Sequence, residues 1–275
     1  LGAGAGWQAT PGEAYSTLAQ AFQHAGWATA LFADTPMLED PGFARGFDEA
    51  RCLPDFNRSL QGPKVVEQAQ KFLAKNAGRN TFLYLHFLDP HSPYAPPEEL
   101  YQRMGGRHPA QPLDLGESRP HIPELRAEGF GPGEERFEDL LASYDGEIAF
   151  QDSMLRDFTA WLHDQGLWDN SVFILTSDHG EEFLEHGFVE HAWNLYIETL
   201  HVPLILWAGP RLVPGREPAR VSNVGLYATL LALAGLPAPV DAPDVGPLLA
   251  REGDTWKAAV PQGPIISELQ LAERS

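Results

Sequence analysis

Ser171-Val172-Phe173-Ile174-Leu175-Thr176-Ser177-Asp178-His179-Gly180 is the stretch on which the reading of the fold turns. Its first six residues form an apolar run suited to a strand covered on both sides. The run then breaks into an ionisable tip, and Gly180 permits a tight turn there. A second segment has the same layout. Thr81-Phe82-Leu83-Tyr84-Leu85-His86-Phe87-Leu88 is apolar on both alternating faces and ends in Asp89-Pro90-His91-Ser92-Pro93-Tyr94. Proline excludes helix and central strand at that end, so His91 belongs to a stiff loop just past a strand's carboxyl end. Ala28 to Ala33, Val202 to Trp207 and Pro264 to Ser267 read as further strands.

Helical spacing fills the intervals. Leu18, Phe22 and Ala25 share a face within Tyr15 to Ala25, which Gly26 stops. Pro63 opens a helix placing Val65, Val66, Ala69, Phe72 and Leu73 together. The longest stripe runs through Phe137, Leu140, Leu141, Tyr144, Ile148, Leu155, Phe158 and Leu162 and ends at Gly166. Leu226 to Ala234 is closed by Gly235, and Gly105 to Gly133, crowded with Gly, Pro and charge, reads as a surface excursion. Strands separated by such helices predict an α/β fold, an open, mostly parallel sheet with helices on both faces. In that architecture ligands gather beyond the carboxyl ends of strands, where the loops after Leu88 and Thr176 lie.

The chain has 275 residues, 43% of them hydrophobic, enough for a packed core. Against 38 Asp and Glu stand 19 Lys and Arg, a net charge of -19, which argues against a protein that neutralises nucleic-acid phosphates. One cysteine excludes an intrachain disulfide framework and a Cys-rich zinc module. No apolar run approaches the ~20 residues of a membrane span. No repeat of solenoid or propeller length is present. The chain starts Leu1-Gly2-Ala3-Gly4, without Met or a basic-then-apolar leader, so its compartment is not written there and a longer parent is expected.

Ser177 to His191 packs three His and five acids into fifteen residues. A charge run alone is most often a solvated face. Here Asp178 and His179 directly follow a buried strand, and a carboxylate oxygen with an imidazole nitrogen suits a divalent cation. Two ligands do not complete a catalytic metal site, which needs a further donor and an open position. A lone His91 on a Pro-rich loop is more often exposed or structural than catalytic. His86, inside the apolar strand, reads as a core histidine. His186 and His191 are not separated by spacing alone. Cys52 has Arg51 beside it but no His base or glycine turn, so it reads as a structural thiol.

These residues together resemble the sulfatase family, within the alkaline-phosphatase-like superfamily. The likeness rests on Thr81 to Tyr94, on Tyr144-Asp145-Gly146-Glu147-Ile148, and on Ser177-Asp178-His179-Gly180-Glu181-Glu182 with His186-Gly187. It continues through Leu195 to Glu198, His201 to Ile205, Val221 to Val224 and Thr229 to Gly235, spanning about Thr17 to Glu268. The resemblance implies a metal-dependent sulfuric ester hydrolase acting on a small sulfate ester. It assigns Asp178 and His179 to the metal, His91 to the sulfate or leaving-group oxygen, and His191 to protonating the departing alcohol. It implies one divalent cation, calcium first, with manganese or zinc as alternatives better suited to imidazole.

The sequence departs from the family in several places. The early Asp-pair strand is absent, as is the Cys- or Ser-x-Pro-x-Arg motif whose first residue becomes formylglycine. Cys52-Leu53-Pro54 mimics that motif, but Asp55 and Phe56 break it and its position is too late. Gly225 stands where the family usually has Asp before a late helix. The smaller carboxyl-terminal sheet is missing. The expectation is one incomplete sulfatase-like α/β domain over residues 1–275, with the 105–133 excursion, inactive alone because its formylglycine lies upstream. Rival readings are a phosphoester or phosphonate hydrolase or phospho-alcohol transferase of the same superfamily, and a non-catalytic binding or scaffold domain. Oligomeric state is not encoded in these features.

Overall fold

A computed structural model describes residues 16–53, 60–107, 122–191, 194–242 and 245–259. Helix α1 (Leu18–His24) opens with a capping box in which the Thr17 hydroxyl accepts the Gln20 N–H and the Gln20 side chain accepts the Thr17 N–H. Strand β1 (Ala28–Ala33) follows and is buried at all six positions. After the short α2 (Pro41–Ala44) come β2 (Glu49–Cys52), α3 (Gly62–Lys75) and β3 (Thr81–His86). Both β2 and β3 pair with β1 in parallel, giving the order β2-β1-β3.

The two faces of this sheet are covered by different helices. Alternation along β1 points Ala28, Ala30 and Phe32 into a cluster with Val65, Val66, Ala69 and Phe72 of α3. Leu83 and Leu85 of β3 join that side, whereas Phe82, on the alternate face, stacks on Phe22 of α1 at 4.5 Å. Helices therefore lie on both faces, as the sequence predicts.

Beyond β3 come α4 (Glu98–Arg103), α5 (Ile122–Ala127) and α6 (Glu135–Asp164). The 30 residues of α6 extend roughly 45 Å at 1.5 Å per residue. Its carboxyl-terminal half adds Met154, Phe158 and Leu162 to the cluster beneath the sheet. Its amino-terminal half adds Phe137 and Leu140 to a second cluster with Tyr94, Ile122, Phe130 and Val189. Ile122 and Phe130 belong to the predicted excursion, so its latter part packs into core; residues 108–121 of it lie outside the described residues.

The remaining elements are β4 (Phe173–Thr176), β5 (Glu182–Phe183), β6 (Val189–Glu190), α7 (Ile197–Leu200), β7 (Leu204–Trp207), α8 (Gly225–Ala234) and the hairpin β8 (Leu249–Glu252) with β9 (Thr255–Ala258). Strand β7 starts two residues later than the sequence suggests, just past Pro203, which has no N–H for a ladder. It pairs antiparallel with β4, in a two-stranded sheet separate from β2-β1-β3 among the described residues. Gly225 opens α8 because Leu248 packs on it: an added Cβ would lie 2.6 Å from Leu248 Cδ2. The predicted strand Pro264 to Ser267 lies outside the described residues. No helix among the described residues is long and apolar enough to cross a membrane.

Buried carboxylates fasten the strand ends. Asp34, just after β1, accepts the Leu88 N–H at 2.6 Å, and Asp89 accepts the Leu60 N–H at 2.9 Å. Burial, reinforced by the Asp89 charge, pushes the Asp34 carboxyl up to about 7, against the opposing Leu88 hydrogen bond. Burial likewise pushes Asp89 up to about 6. The folded chain thus holds these protons to higher pH than the unfolded chain. Their contribution to stability is complete below about pH 4 and is lost as pH rises toward 7. Asp34→Asn is expected to flatten this dependence. In urea unfolding it should gain on the order of 2 kcal/mol over the parent at pH 8 and almost nothing at pH 4.

Candidate active site

Two loops at strand carboxyl ends meet beside the amino-terminal half of α6. The first follows β3 and carries His91 between two cis peptide bonds, Asp89-Pro90 and Ser92-Pro93. The Gln151 side chain of α6 donates to the Asp89 carbonyl. Glu147 of α6, fully buried, accepts the Ala95 N–H at 2.7 Å. Gly146 lets Pro96 approach so closely that an added Cβ would lie 2.8 Å from its Cβ. The Tyr144 to Ile148 block is thereby a seat for the His91 loop.

The second loop follows β4. Asn223 donates to the Ser177 carbonyl at 3.0 Å, and its Oδ1 accepts the Thr176 hydroxyl at 3.3 Å, so a residue two positions before α8 holds the strand tip. Gly180 donates its N–H to Thr199 O at 2.9 Å. The hairpin β5–β6 is organised by the buried Glu182 carboxylate, which accepts the N–H groups of His186 and Phe188 at 2.9 and 3.1 Å and the Asn194 amide. Leu184 and Glu190 adopt positive φ (69° and 67°) around this hairpin, backbone that only strong local constraint sustains outside glycine.

Folded this way, three imidazoles converge. The rings of His179 and His191 lie 3.9 Å apart, and His91 meets His191 edge-on at 5.2 Å. Each Nδ1 faces an acceptor: Ser92 O at 2.6 Å for His91, Gly180 O at 2.9 Å for His179, and the Glu181 carboxylate at 3.0 Å for His191. A proton on Nδ1 satisfies all three contacts and makes Nε2 the chemically variable nitrogen of each ring. Burial, with the neighbouring His191, holds His91 below the usual imidazole range, against the pull of the Ser92 carbonyl and the nearby glutamates. His91 is consequently held toward its neutral form.

Asp178 is exposed, with Oδ1 3.8 Å from His179 Nε2. Desolvation opposes its ionisation, but His179, its amide and His86 outweigh this and place the carboxyl below the ordinary range. An ionised oxygen and a ring nitrogen presented by Nδ1 anchoring are two donors spaced to share one cation. Among the described residues no group of three or more His, Cys, Asp or Glu side chains is arranged to hold a metal, so the pair alone does not complete a metal site.

His86 ends β3, stacked against Tyr84, and burial, opposed by the Asp178 charge, holds its ring below the usual imidazole range. His186 goes elsewhere: it stacks on Tyr196 at 3.6 Å and sits 3.4 Å from Glu198. Cys52 ends β2, and burial followed by Glu39 pushes its thiol up, which disfavours a thiolate nucleophile. Sequence reasoning missed Glu181 as the partner of His191 and Tyr94 as the partner of Glu181. Both stand inside the quoted motifs, but only their contact reveals the partnership.

The sulfatase family model matches residues 7–236. The chain belongs to the sulfatase family. Arylsulfatase K of Xenopus laevis is 36% identical over 107 residues, covering 38% of this chain and 20% of the relative. Iduronate 2-sulfatase of Mus musculus is 26% identical over 239 residues, covering 70% of this chain and 41% of the relative. The chain thus spans well under half the length of these curated relatives. Among solved structures, BT4656 in complex with its substrate D-glucosamine-2-N,6-O-disulfate aligns with a TM-score of 0.59 and 16% identity, covering 85% of this chain and 63% of that one. Phosphonate monoester hydrolase SpPMH from Silicibacter pomeroyi aligns at 0.58 and 21% identity, covering 85% and 60%. At these identities the structural matches establish the alkaline-phosphatase-like fold.

In this sulfatase domain the loop after β4 tolerates no side chain at its turn. A Cβ on Gly180 would lie 2.0 Å from the Glu198 carbonyl oxygen. Gly180→Ala should cost about 1–3 kcal/mol in denaturant unfolding. It should also weaken the His179–His191 ring contact, seen as a change in their NMR ring-current shifts.

Proposed function

We propose that the complete protein is a metal-dependent sulfuric ester hydrolase, with this chain supplying Asp178 and His179 to the metal and His91 and His191 to the ester. The observation that supports this most directly is the convergence of His91, His179 and His191, each anchored through Nδ1. Asp178 and His179 would hold the cation, calcium by family resemblance and manganese or zinc by the chemistry of an imidazole donor. When bound, such an ion polarises a sulfate oxygen.

The other residues divide the remaining work by their partners. His91, held toward its neutral form by burial, is suited to hydrogen-bond an ester oxygen. His191 has a carboxylate rather than a carbonyl at Nδ1, which leaves Nε2 for the ester and suits the ring to protonate the leaving alcohol. The family's formylglycine is expected from outside these 275 residues, because no Cys- or Ser-x-Pro-x-Arg motif occurs in them. The substrate class is a small sulfate ester. Sulfated sugars are the first to test, since the relatives include an iduronate sulfatase and a structure with a sulfated glucosamine.

The deciding experiment compares 4-nitrophenyl sulfate, 4-nitrophenyl phosphate and a phenylphosphonate monoester as substrates of the complete protein. The sulfate should show the highest kcat/KM, and His191→Ala should lower it about 10²–10⁴-fold. Faster cleavage of the phosphonate monoester would overturn the reading. The 275-residue chain alone should show no turnover above a His191→Ala control. In calorimetry it should bind calcium or manganese only at about millimolar concentration, and Asp178→Asn should abolish that binding.

A further inference from the structure

The three imidazoles differ in one respect. Main-chain carbonyls hold His91 and His179, whereas a side-chain carboxylate, Glu181, holds His191. That carboxylate is itself enclosed. Its side chain is 4% exposed, and its second oxygen accepts the Tyr94 hydroxyl at 2.8 Å. Tyr94 is fully buried, and burial together with the Glu181 charge raises its phenol well above the usual range, so it remains a donor. Tyr144, behind it, is pushed up to about 12 by the same two causes. Glu181 thus has one oxygen committed to Tyr94 and the other directed at His191 Nδ1, with little water to compete.

We propose that Glu181, fixed by Tyr94, is the positioning residue for His191: it takes the Nδ1–H and thereby makes Nε2 the nitrogen that meets the ester. Tyr94 comes from the loop after β3 and Glu181 from the loop after β4, so the chain Tyr94–Glu181–His191 also sets the spacing between the two loops. This inference rests on the ester-hydrolase reading only for what Nε2 does next. In that reading the proton on His191 Nε2 passes to the departing alkoxide oxygen as its bond to sulfur breaks and sulfur bonds to the nucleophile supplied by the rest of the protein. The Nδ1–H stays between His191 and Glu181, and Glu181 itself gains no proton.

The first test needs no turnover. In the 275-residue chain labelled with ¹⁵N-histidine, His191 is assigned by its loss in His191→Gln, and its ring is observed above its titration range. The expected result is a neutral imidazole protonated at Nδ1, with Glu181→Gln shifting it toward Nε2–H because the amide can donate to Nδ1. A wild-type His191 that averages between tautomers like free histidine, or is protonated at Nε2, overturns the inference whether or not the variant folds. The second test uses the complete enzyme on aryl sulfates of graded leaving-group basicity. Glu181→Gln should lower kcat about 10-fold or more with KM little changed. The loss should grow as the leaving alcohol becomes more basic, and Glu181→Asp should recover part of it. An equal loss for every leaving group overturns a positioning role. An Nδ1–H tautomer in a protein that cleaves no sulfate ester upholds the placement of His191 and refutes the sulfatase reading alone.

Discussion

The Glu181 carboxylate is the point at which the two functional loops are tied together. A carboxylate withdrawn from water is unfavourable unless its oxygens are matched by donors of good geometry. Here the two matches come from opposite sides, the Tyr94 hydroxyl at 2.8 Å and His191 Nδ1 at 3.0 Å. Because neither donor is local in sequence to the other, satisfying one buried charge fixes the relative placement of the loops after β3 and β4. The convergence of His91, His179 and His191 follows from that placement.

Behind the loops stands α6, which serves two cores with one helix. Met154, Phe158 and Leu162 cover the sheet, while Phe137 and Leu140 back Tyr94 and Val189. Displacement of the helix would thus be felt in both clusters at once. Between these halves, Gly146 and Glu147 face the His91 loop, one by offering no side chain and the other by accepting a main-chain N–H. The motif Tyr144 to Ile148 is consequently a packing and hydrogen-bonding device rather than a source of reacting groups. Asn223 plays a comparable part at the tip of β4, where it holds both Thr176 and Ser177.

The strands at Ala28 to Ala33 and Thr81 to His86, the capped first helix and the long α6 were legible because apolar periodicity and glycine stops encode them locally. Placement of His91 and of Asp178 with His179 at strand carboxyl ends was legible for the same reason. The surroundings of His86 were hidden, because an apolar strand gives no sign of which of its faces a helix will cover. It shares a face of β3 with Tyr84 and stacks against that ring. The antiparallel pairing of β4 with β7 was equally hidden, since strand direction depends on how the intervening hairpin and α7 return the chain.

Local order along the chain was enough to determine which residues turn, which strands are covered, and which side chains are chemically able to ligate or transfer a proton. Spacing could not rank His186 against His191, five residues apart in one acidic loop. The fold ranked them by sending His186 to Tyr196 and Glu198, and His191 to Glu181 between the other two rings. The physical reason is that an imidazole's role is set by the partner at its second nitrogen. That partner is chosen by contacts between segments far apart in the chain, which no local pattern records.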